Sequence, residues 1–247
     1  MKIDFTNKTV VVTGGTRGVG AAIVQLFQEC NAEIIATGTN LDNLKRLNEK
    51  SSDKRTKYTH LDFISDDSVQ NFLGYIEKLG RIDVLINNAG VNKIDSIHEI
   101  SKNDWDWMNE VNLRGPFLIT RSVSKIMKKQ GYGKIVNIAS VFSIVSRAKR
   151  AAYSTTKWGL VGFTKAIAHD LAPHNILVNA VSPGFVDTEL TRRILGEKEI
   201  EKLVSSIPQK RLADAGEIAK AILFLTSDHN TYITGQNIIV DGGFTSA

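Results

Sequence analysis

Short runs of apolar residues alternate along the chain with longer segments in which apolar residues recur every three or four positions. The short runs are continuous, which is typical of strands buried on both faces of a parallel sheet. They predict strands at residues 10–13, 34–37, 58–62, 84–86, 135–138, 176–181 and 238–240. The longer segments predict helices at residues 18–29, 41–50, 67–79, 102–129, 152–171 and 215–227.

This alternation of strands and helices indicates an α/β fold, with one doubly wound parallel sheet flanked by helices on both faces. No linker or repeat divides the chain, so a single domain is expected over residues 1–247. Two segments depart from the regular pattern. The helix at 102–129 is expected to bend near Gly115-Pro116, and residues 187–211 are charged with poor helical periodicity.

Composition narrows the class of protein without identifying it. Of the 247 residues, 42% are hydrophobic and 23% are charged, which is ordinary for a globular protein and excludes collagen-like or disordered chains. The single cysteine, Cys30, excludes a disulfide framework and a cysteine-rich zinc site, and no metal site is expected. The sequence contains neither a signal peptide nor an apolar run long enough to span a membrane, so we expect a cytoplasmic protein.

The net charge of +5 is unevenly distributed. No acid occurs between Glu110 and Asp170, a stretch that holds eleven bases, whereas the rest of the chain holds 20 bases and 26 acids. This pattern fits a nucleic-acid surface, a site for anionic ligands, or simply an uneven solvated surface. Because the stretch has no basic surface interleaved with aromatic residues and no recognition motif, we do not expect a nucleic-acid partner.

A glycine-rich turn follows the first predicted strand. Residues Thr13–Gly20 read TGGTRGVG, in which the glycines are spaced as G-x-x-x-G-x-G. Glycines at such a turn allow the backbone to approach a pyrophosphate closely, and the following helix directs its free N–H groups at that anion. The turn and its position therefore predict a dinucleotide site at the carboxyl edge of the sheet.

The end of the second strand indicates which dinucleotide is bound. An acid at this position binds the ribose hydroxyls of NAD, and a nearby base accepts the 2′-phosphate of NADP. Here the strand is followed by Gly38-Thr39-Asn40, with no acid before Asp42, and Arg17 supplies a cation from the glycine turn. The pattern favours NADP(H) over NAD(H), although Arg17 also fits the description of an ordinary solvated loop residue.

Tyr153 and Lys157 lie four residues apart on a predicted helix and therefore on one face of it. A protonated lysine near a phenol lowers the pKa of the phenol, so that it can exchange a proton with a carbonyl or alcohol oxygen near neutral pH. Ser140, at the end of the fifth strand, can hydrogen-bond to the same oxygen, or can be merely a turn residue.

These features occur in a defined order over nearly the whole chain. The ordered motifs are Thr13–Gly20, Asn87-Asn88-Ala89-Gly90, Asn112, Ser140, Tyr153-x-x-x-Lys157 and Pro183-Gly184. Together they resemble the short-chain dehydrogenases/reductases. The resemblance implies a Rossmann-type fold with a seven-stranded sheet, a homotetramer, and hydride transfer between a nicotinamide cofactor and a carbonyl or alcohol.

The resemblance also implies roles for individual residues. Tyr153 would be the acid/base, Lys157 would tune it and hold the nicotinamide ribose, Ser140 would polarise the substrate carbonyl, and Asn112 would hold a relay water. The cofactor would be bound by Gly14, Thr16, Arg17, Gly18, Val19, Gly20, Thr39, Asp62, Phe63, Asn88, Gly90, Tyr153, Lys157, Pro183, Val186 and Thr188.

The substrate is less clearly indicated. The chain is similar to 3-oxoacyl-acyl-carrier-protein reductases at Gly38-Thr39, at Tyr232–Gly235 and at Asp241–Gly243. However, the two arginines with which that group docks its acidic carrier are missing from residues 128–134 and 173–175, where Lys128 and Lys129 remain.

Three bases in the loop before Tyr153 suggest other substrates. Arg147, Lys149 and Arg150 can recognise a carboxylate or phosphate, or can be solvated loop cations. A sugar, sugar-acid or polyol dehydrogenase therefore stays open, as does a catalytically silent dinucleotide-binding regulator. Residues 187–211 are expected to form a mobile lid over the substrate.

Overall fold

Strands form one parallel sheet in the computed structural model, which describes residues 3–51 and 53–246. Within these residues the sheet has seven strands in the order β3-β2-β1-β4-β5-β6-β7. Their bounds are β1 Thr9–Val12, β2 Glu33–Gly38, β3 Thr56–His60, β4 Val84–Asn87, β5 Gly133–Ile138, β6 Ile176–Pro183 and β7 Asn237–Val240. The strand order reverses between β1 and β4, which creates the crevice in which such sheets bind ligands.

Helices connect the strands and cover the sheet. Their bounds are α1 Gly18–Glu29, α2 Leu41–Lys50, α3 Asp66–Glu77, α4 Lys102–Asn109, α5 Gly115–Gln130, α6 Ala151–Leu171, α7 Glu189–Ser206 and α8 Ala215–Thr226. The predicted Rossmann-type fold, with its parallel sheet between two helical layers, is confirmed.

Successive residues of each strand pack on opposite faces of the sheet, and this alternation builds two cores. Val10 and Val12 of β1 pack in one core with α1 and α8, whose contributors include Phe27 and Ile222. Val11, between them, lies in the other core with side chains from α3, α5 and α6. Since both faces of the central strands are buried, most of their positions are apolar, which explains their continuous hydrophobic runs.

The long helix predicted over 102–129 is interrupted earlier than expected. Helix α4 ends at Asn109, a π-helical turn spans Glu110–Arg114, and α5 begins at Gly115. Pro116 lies in the first turn of α5, directly after the π-helical turn, and the residues before it, Arg114 and Gly115, keep helical φ and ψ angles. Gly115 has a packing role, because a Cβ there would lie 2.7 Å from the Phe63 ring.

The charged segment at 187–211 is more regular than its sequence suggests. Most of it forms α7, whose N-terminus is capped by Thr188, with the side-chain oxygen accepting from the Thr191 amide. Gly196 breaks the helix with a φ of 60° and a ψ of 165°. This break divides the helix into two short pieces, which explains why no continuous helical periodicity is visible in the sequence.

Two further searches covered residues 3–51 and 53–246. No helix among them has the length and apolar character needed to cross a bilayer. No group of three His, Cys, Asp or Glu side chains is arranged to hold a metal ion.

Candidate active site

The glycine-rich turn between β1 and α1 is a tight backbone cradle. Gly14 and Gly18 have φ values of 66° and 53°, in the left-handed region that favours glycine. A Cβ at Gly20 would lie 2.1 Å from the carbonyl oxygen of Gly14, so no larger residue fits there. Arg17 precedes α1 without capping it by a side-chain hydrogen bond, which leaves the first N–H groups of this helix free for an anion. The cradle therefore fits a dinucleotide pyrophosphate.

Asn88 braces this cradle from the end of β4. Its Nδ2 donates to the carbonyl oxygens of Thr13 and Gly14 at 2.9 and 3.0 Å. Conversely, the Thr13 hydroxyl accepts from the backbone amides of Asn88 and Ala89 at 3.0 and 3.1 Å. The bracing role of Thr13 was not predicted, although the motif that contains this residue was.

The end of β2 meets the glycine turn at Thr16. A Cβ on Gly38 would lie 2.6 Å from Cγ2 of Thr16, so the absence of a side chain at Gly38 leaves room for the Thr16 side chain. Thr39 and Arg17 are exposed on this side of the crevice. Asn40 uses its side-chain oxygen to cap α2, accepting from the Asn43 amide at 2.8 Å, so this oxygen is committed to the helix.

Asp62 and Phe63 follow β3. The Asp62 carboxylate accepts from the Ile64 amide at 3.0 Å and stays partly exposed. The Phe63 ring is buried in the core against Gly115, and it therefore packs inward rather than toward the crevice.

The segment after β6 closes the crevice on the side opposite β2. A Cβ on Gly18 would lie 3.6 Å from Cγ2 of Thr188, so this segment faces the glycine turn. Pro183 is buried at the end of β6, and Val186 is buried where it forms a parallel bridge with Ala213. Val19, half-buried, lies in the first turn of α1 behind the glycines.

Helix α6 carries Tyr153 and Lys157 at the carboxyl end of β5. The Lys157 ammonium is buried, donates to the carbonyl oxygen of Ile138 at 2.7 Å and lies 5.7 Å from the centre of the Tyr153 ring. Burial lowers the pKa of Lys157 to about 8. Burial raises the pKa of Tyr153, and the hydroxyl of Ser140 and the charge of Arg150 oppose this rise. Ser140 thus lies close enough to Tyr153 to influence its pKa, as its position after β5 predicts.

Asn112 lies in the π-helical turn and is completely buried. Its side chain exchanges two hydrogen bonds with the backbone of Val91, at 2.8 and 2.9 Å, and donates to Thr156 of α6 at 3.1 Å. A Cβ on Gly90 would lie 3.5 Å from the Asn112 oxygen and 3.6 Å from Nζ of Lys157. Asn112, Gly90 and Lys157 therefore share one small volume, and π-helical turns often occur at functional sites.

Known proteins share this sequence pattern over its full length. A family model described as enoyl-(acyl carrier protein) reductase matches residues 14–245. A 3-oxoacyl-[acyl-carrier-protein] reductase from Aquifex aeolicus (strain VF5) is 39% identical over 247 residues, which cover 98% of this chain and 99% of the relative. The reductase of the same name from Thermotoga maritima is 40% identical over 240 residues, covering 96% of this chain and 97% of its own. The chain belongs to the short-chain dehydrogenase/reductase family.

Solved structures of other family members superimpose closely. A gluconate 5-dehydrogenase from Burkholderia cenocepacia J2315 in complex with NADP and tartrate has a TM-score of 0.91 at 28% identity, covering 100% of this chain and 98% of its own. A levodione reductase has a TM-score of 0.92 at 30% identity, covering 98% and 99%. The protein is therefore an NAD(P)-dependent oxidoreductase that interconverts a carbonyl and an alcohol, as predicted from its motifs.

The three loop bases of this short-chain dehydrogenase/reductase have different environments. Arg147 and Lys149 are exposed, whereas Arg150 is buried. The guanidinium of Arg150 lies 5.0 Å from the centre of the Phe142 ring, and that of Arg147 lies 5.7 Å from the same ring. Nothing in the sequence distinguishes the three bases, but in the fold the two arginines lie against the Phe142 ring.

The other bases of the acid-free stretch do not form a common surface around the site. Lys134 is the second residue of β5 and lies at the opposite edge of the sheet, where its buried ammonium donates a hydrogen bond to the carbonyl oxygen of Asn230. The exposed bases of helices α5 and α6 are Arg121, Lys125, Lys128, Lys129 and Lys165. Of the eleven bases, Lys157, Arg150 and Arg147 are those placed near Tyr153 by contacts in the structure.

An aromatic wall beside Tyr153 was not predicted from the sequence. Phe142, Phe185 and Phe244 form a chain of edge-to-face contacts that begins at the Tyr153 ring, with ring centres 6.2, 6.1 and 5.1 Å apart. A cavity of about 140 Å³ continues beyond Phe244 beneath α7. It is lined by Arg147, Leu195, Glu199, Lys202, Leu203, Ser206 and Phe244. Residues so distant in sequence give no local signal of this wall.

Proposed function

We propose that the protein is an NADP(H)-dependent reductase of 3-oxoacyl groups carried on an acyl-carrier protein. The observation that supports the reaction is the placement of Ser140, Tyr153 and Lys157 together beside the glycine cradle. The observation that supports the substrate is the similarity to 3-oxoacyl-[acyl-carrier-protein] reductases along nearly the full chain. In this proposal residues 1–247 act as one domain in the cytoplasm.

In the mechanism, the glycine cradle from Gly14 to Gly20 would hold NADPH, which when bound would supply the hydride for the carbonyl carbon of the substrate. Tyr153 donates its phenolic proton to the carbonyl oxygen, which becomes the hydroxyl of the product. Ser140 donates a hydrogen bond to the same oxygen and holds it in position. The protonated Lys157 stabilises the tyrosinate that remains, and Asn112 holds the π-helical turn against Val91 and α6, where a relay water would return the proton.

The preference for NADP(H) is proposed from the exposed end of β2. No acid follows this strand directly, and Arg17 provides a positive charge on the glycine turn for a 2′-phosphate. In support, the gluconate 5-dehydrogenase of similar structure is described in complex with NADP.

Docking of an acidic carrier protein is proposed at the carboxyl end of α5. Lys128 and Lys129 are exposed there, and Gly131 accepts a hydrogen bond from the side chain of Asn175 at 3.1 Å. The two chain segments that carry the docking arginines in similar reductases therefore meet here. In this chain Lys128 and Lys129 would have to supply the positive charge that attracts an acidic carrier protein.

A sugar-acid or hydroxy-acid dehydrogenase is the second candidate. Arg150 and Arg147 approach the aromatic wall beside Tyr153, which is a suitable place to bind an anionic substrate. A structurally similar gluconate 5-dehydrogenase is described with tartrate, a dicarboxylic acid.

A homotetramer is proposed from two exposed apolar faces. Phe117 of α5, whose ring contacts Phe163 of α6, and Trp158 of α6 are exposed, and we assign them to one face; Phe224 of α8 and Ile239 of the edge strand β7 are exposed too, and we assign them to the other. Two different self-complementary faces on one subunit generate a tetramer with three perpendicular twofold axes. Light scattering should give a tetrameric mass, and Trp158→Glu and Ile239→Glu should each reduce it to that of a dimer.

The decisive test is a panel of carbonyl and alcohol substrates assayed with both NADPH and NADH. Turnover of a 3-oxoacyl carrier thioester above all other substrates supports the first candidate, and turnover of a sugar or hydroxy acid supports the second. Cofactor binding without turnover of any substrate would instead indicate a silent regulator.

A further inference from the structure

Arg150 is a buried cation without a counterion. Its exposed fraction is 4%, and its Nε and Nη1 atoms are buried with no hydrogen-bond partner. A guanidinium can bind a carboxylate along either of two edges, Nε with Nη2 or Nη1 with Nη2. Each of these edges includes one of the two unpaired nitrogens.

The surroundings of Arg150 are aromatic and basic. The Phe142 ring lies 5.0 Å from the guanidinium, and the neighbouring Arg147 adds a charge of the same sign. Within residues 3–51 and 53–246, no ion pair joins Arg150 to a carboxylate. The local sequence cannot provide one, because no acid lies between Glu110 and Asp170.

Such a group destabilises the folded protein unless an anion joins it. Burying an unpaired charge is unfavourable by several kcal/mol, so buried arginines normally have a carboxylate beside them. Burial and the charge of Arg147 lower the pKa of Arg150 only to about 10, so the side chain stays charged at neutral pH. The described residues therefore provide no carboxylate for this cation, which leaves its charge available to an anion that enters the site.

The position of Arg150 indicates which anion this is. Arg150 directly precedes α6, three residues before Tyr153, and its charge lowers the pKa of the tyrosine hydroxyl. The Phe142 ring contacts both side chains, with its centre 6.2 Å from that of the Tyr153 ring. A molecule whose carbonyl oxygen lies at Tyr153 can thus place a negative group against Arg150.

We propose that this site also takes small oxo acids and that Arg150 binds their free carboxylate. The proposal rests on the oxidoreductase activity proposed above and names a substrate class for its second candidate. The reaction is the reduction of the keto group to a secondary alcohol. NADPH gives the hydride to carbon, Tyr153 gives the proton to oxygen, and the carboxylate is unchanged.

The test compares 3-oxobutanoate with its neutral ethyl ester, using purified enzyme and NADPH. The measured quantity is the ratio of kcat/KM for the acid to kcat/KM for the ester. Arg150 influences the pKa of Tyr153 for both substrates equally, so this effect cancels in the ratio. We expect Arg150→Gln to lower the ratio about 10- to 100-fold, the loss typical of a charge-assisted hydrogen bond.

Two further variants sharpen the comparison. Arg150→Lys keeps the charge without the planar fork and should give an intermediate ratio. Lys165→Gln removes an exposed base from α6, the helix that Arg150 precedes, and should leave the ratio unchanged. An unchanged ratio in Arg150→Gln would overturn the proposal. So would a fall in melting temperature with loss of NADPH binding in that variant, because Arg150 would then be a structural residue.

A binding measurement separates this proposal from the proposed function. If neither substrate is reduced, the substrate panel still tests the proposed function by itself, and calorimetric titration of 3-oxobutanoate into enzyme with NADP⁺ still tests whether Arg150 binds the carboxylate. Binding that is about 10- to 100-fold weaker in Arg150→Gln would support it. Equal affinities in the two proteins, or no binding to the unchanged enzyme, would overturn it.

Discussion

Lys157 donates a 2.7 Å hydrogen bond to the carbonyl oxygen of Ile138, two residues before Ser140. The bond joins α6 to the end of β5 and fixes the ammonium beside the Tyr153 ring. The same side chain therefore holds together the two elements that carry the proposed proton donor and its hydrogen-bonding partner. Any change at Lys157 should alter the geometry of the site together with its charge.

Replacing Tyr153 by phenylalanine should remove the proton donor and leave the cofactor cradle intact. We expect kcat for carbonyl reduction to fall by about 1,000-fold, within the range of general acid–base catalysis. Fluorescence titration should show unchanged NADPH affinity. Tyr232→Phe, which alters an exposed tyrosine, is the matched control. Full activity in Tyr153→Phe would refute the assigned role.

The pH dependence of reduction should report Lys157. Its pKa is lowered to about 8, so the ammonium loses its charge as the pH rises through this value. Loss of this charge destabilises the tyrosinate formed during reduction, and kcat/KM should therefore decrease above pH 8. Lys157→Arg keeps its charge throughout this range, so the decrease near pH 8 should disappear even if the overall rate is lower. A decrease that persists in this variant would belong to another group.

Arg17 should determine the choice of cofactor. Arg17→Ala removes the cation proposed to bind the 2′-phosphate and should weaken NADPH binding about 10- to 100-fold. The affinity for NADH, which lacks this phosphate, should not change. Lys45→Ala, at an exposed base on α2, serves as the control. Equal weakening of both cofactors would show that Arg17 supports the turn rather than recognising the phosphate.

Asn88 should stabilise the cradle rather than act on the substrate. Asn88→Ala leaves the carbonyl oxygens of Thr13 and Gly14 without their donor, and we expect a loss of about 1–3 kcal/mol in the free energy of unfolding. NADPH affinity should fall with it. Urea unfolding and fluorescence titration measure the two effects, with Asn103→Ala at an exposed position of α4 for comparison. Unchanged stability would contradict the bracing role.

The sequence predicts best the features that depend on neighbouring residues. The predicted strands lie within about two residues of the seven in the sheet, and the apolar runs are clearest in the central strands, which are buried on both faces. The glycine-rich turn can be recognised in the sequence because the close backbone contacts at positions 14 and 20 leave no room for a Cβ and therefore require glycine. The position of Ser140 after β5 likewise brings it to Tyr153.

Features that depend on tertiary packing are not predicted. Arg147, Lys149 and Arg150 are equivalent in sequence, and only the fold buries Arg150 against Phe142. The inward packing of Phe63 depends on Gly115, more than fifty residues away. The helix at 189–206 is not visible as a continuous pattern in the sequence, because Gly196 divides it into two short pieces.

The π-helical turn at Glu110–Arg114 holds one residue more than an α-helical turn would. Deleting one residue here would restore a regular helix, but it would rotate all of α5 by about 100° about its axis. Ile119, Val123 and Met127 would then turn out of the core in which they are now completely buried. The irregular turn and the apolar side of α5 therefore cannot change independently, and any shorter variant of this segment would have to acquire a new hydrophobic stripe at the same time.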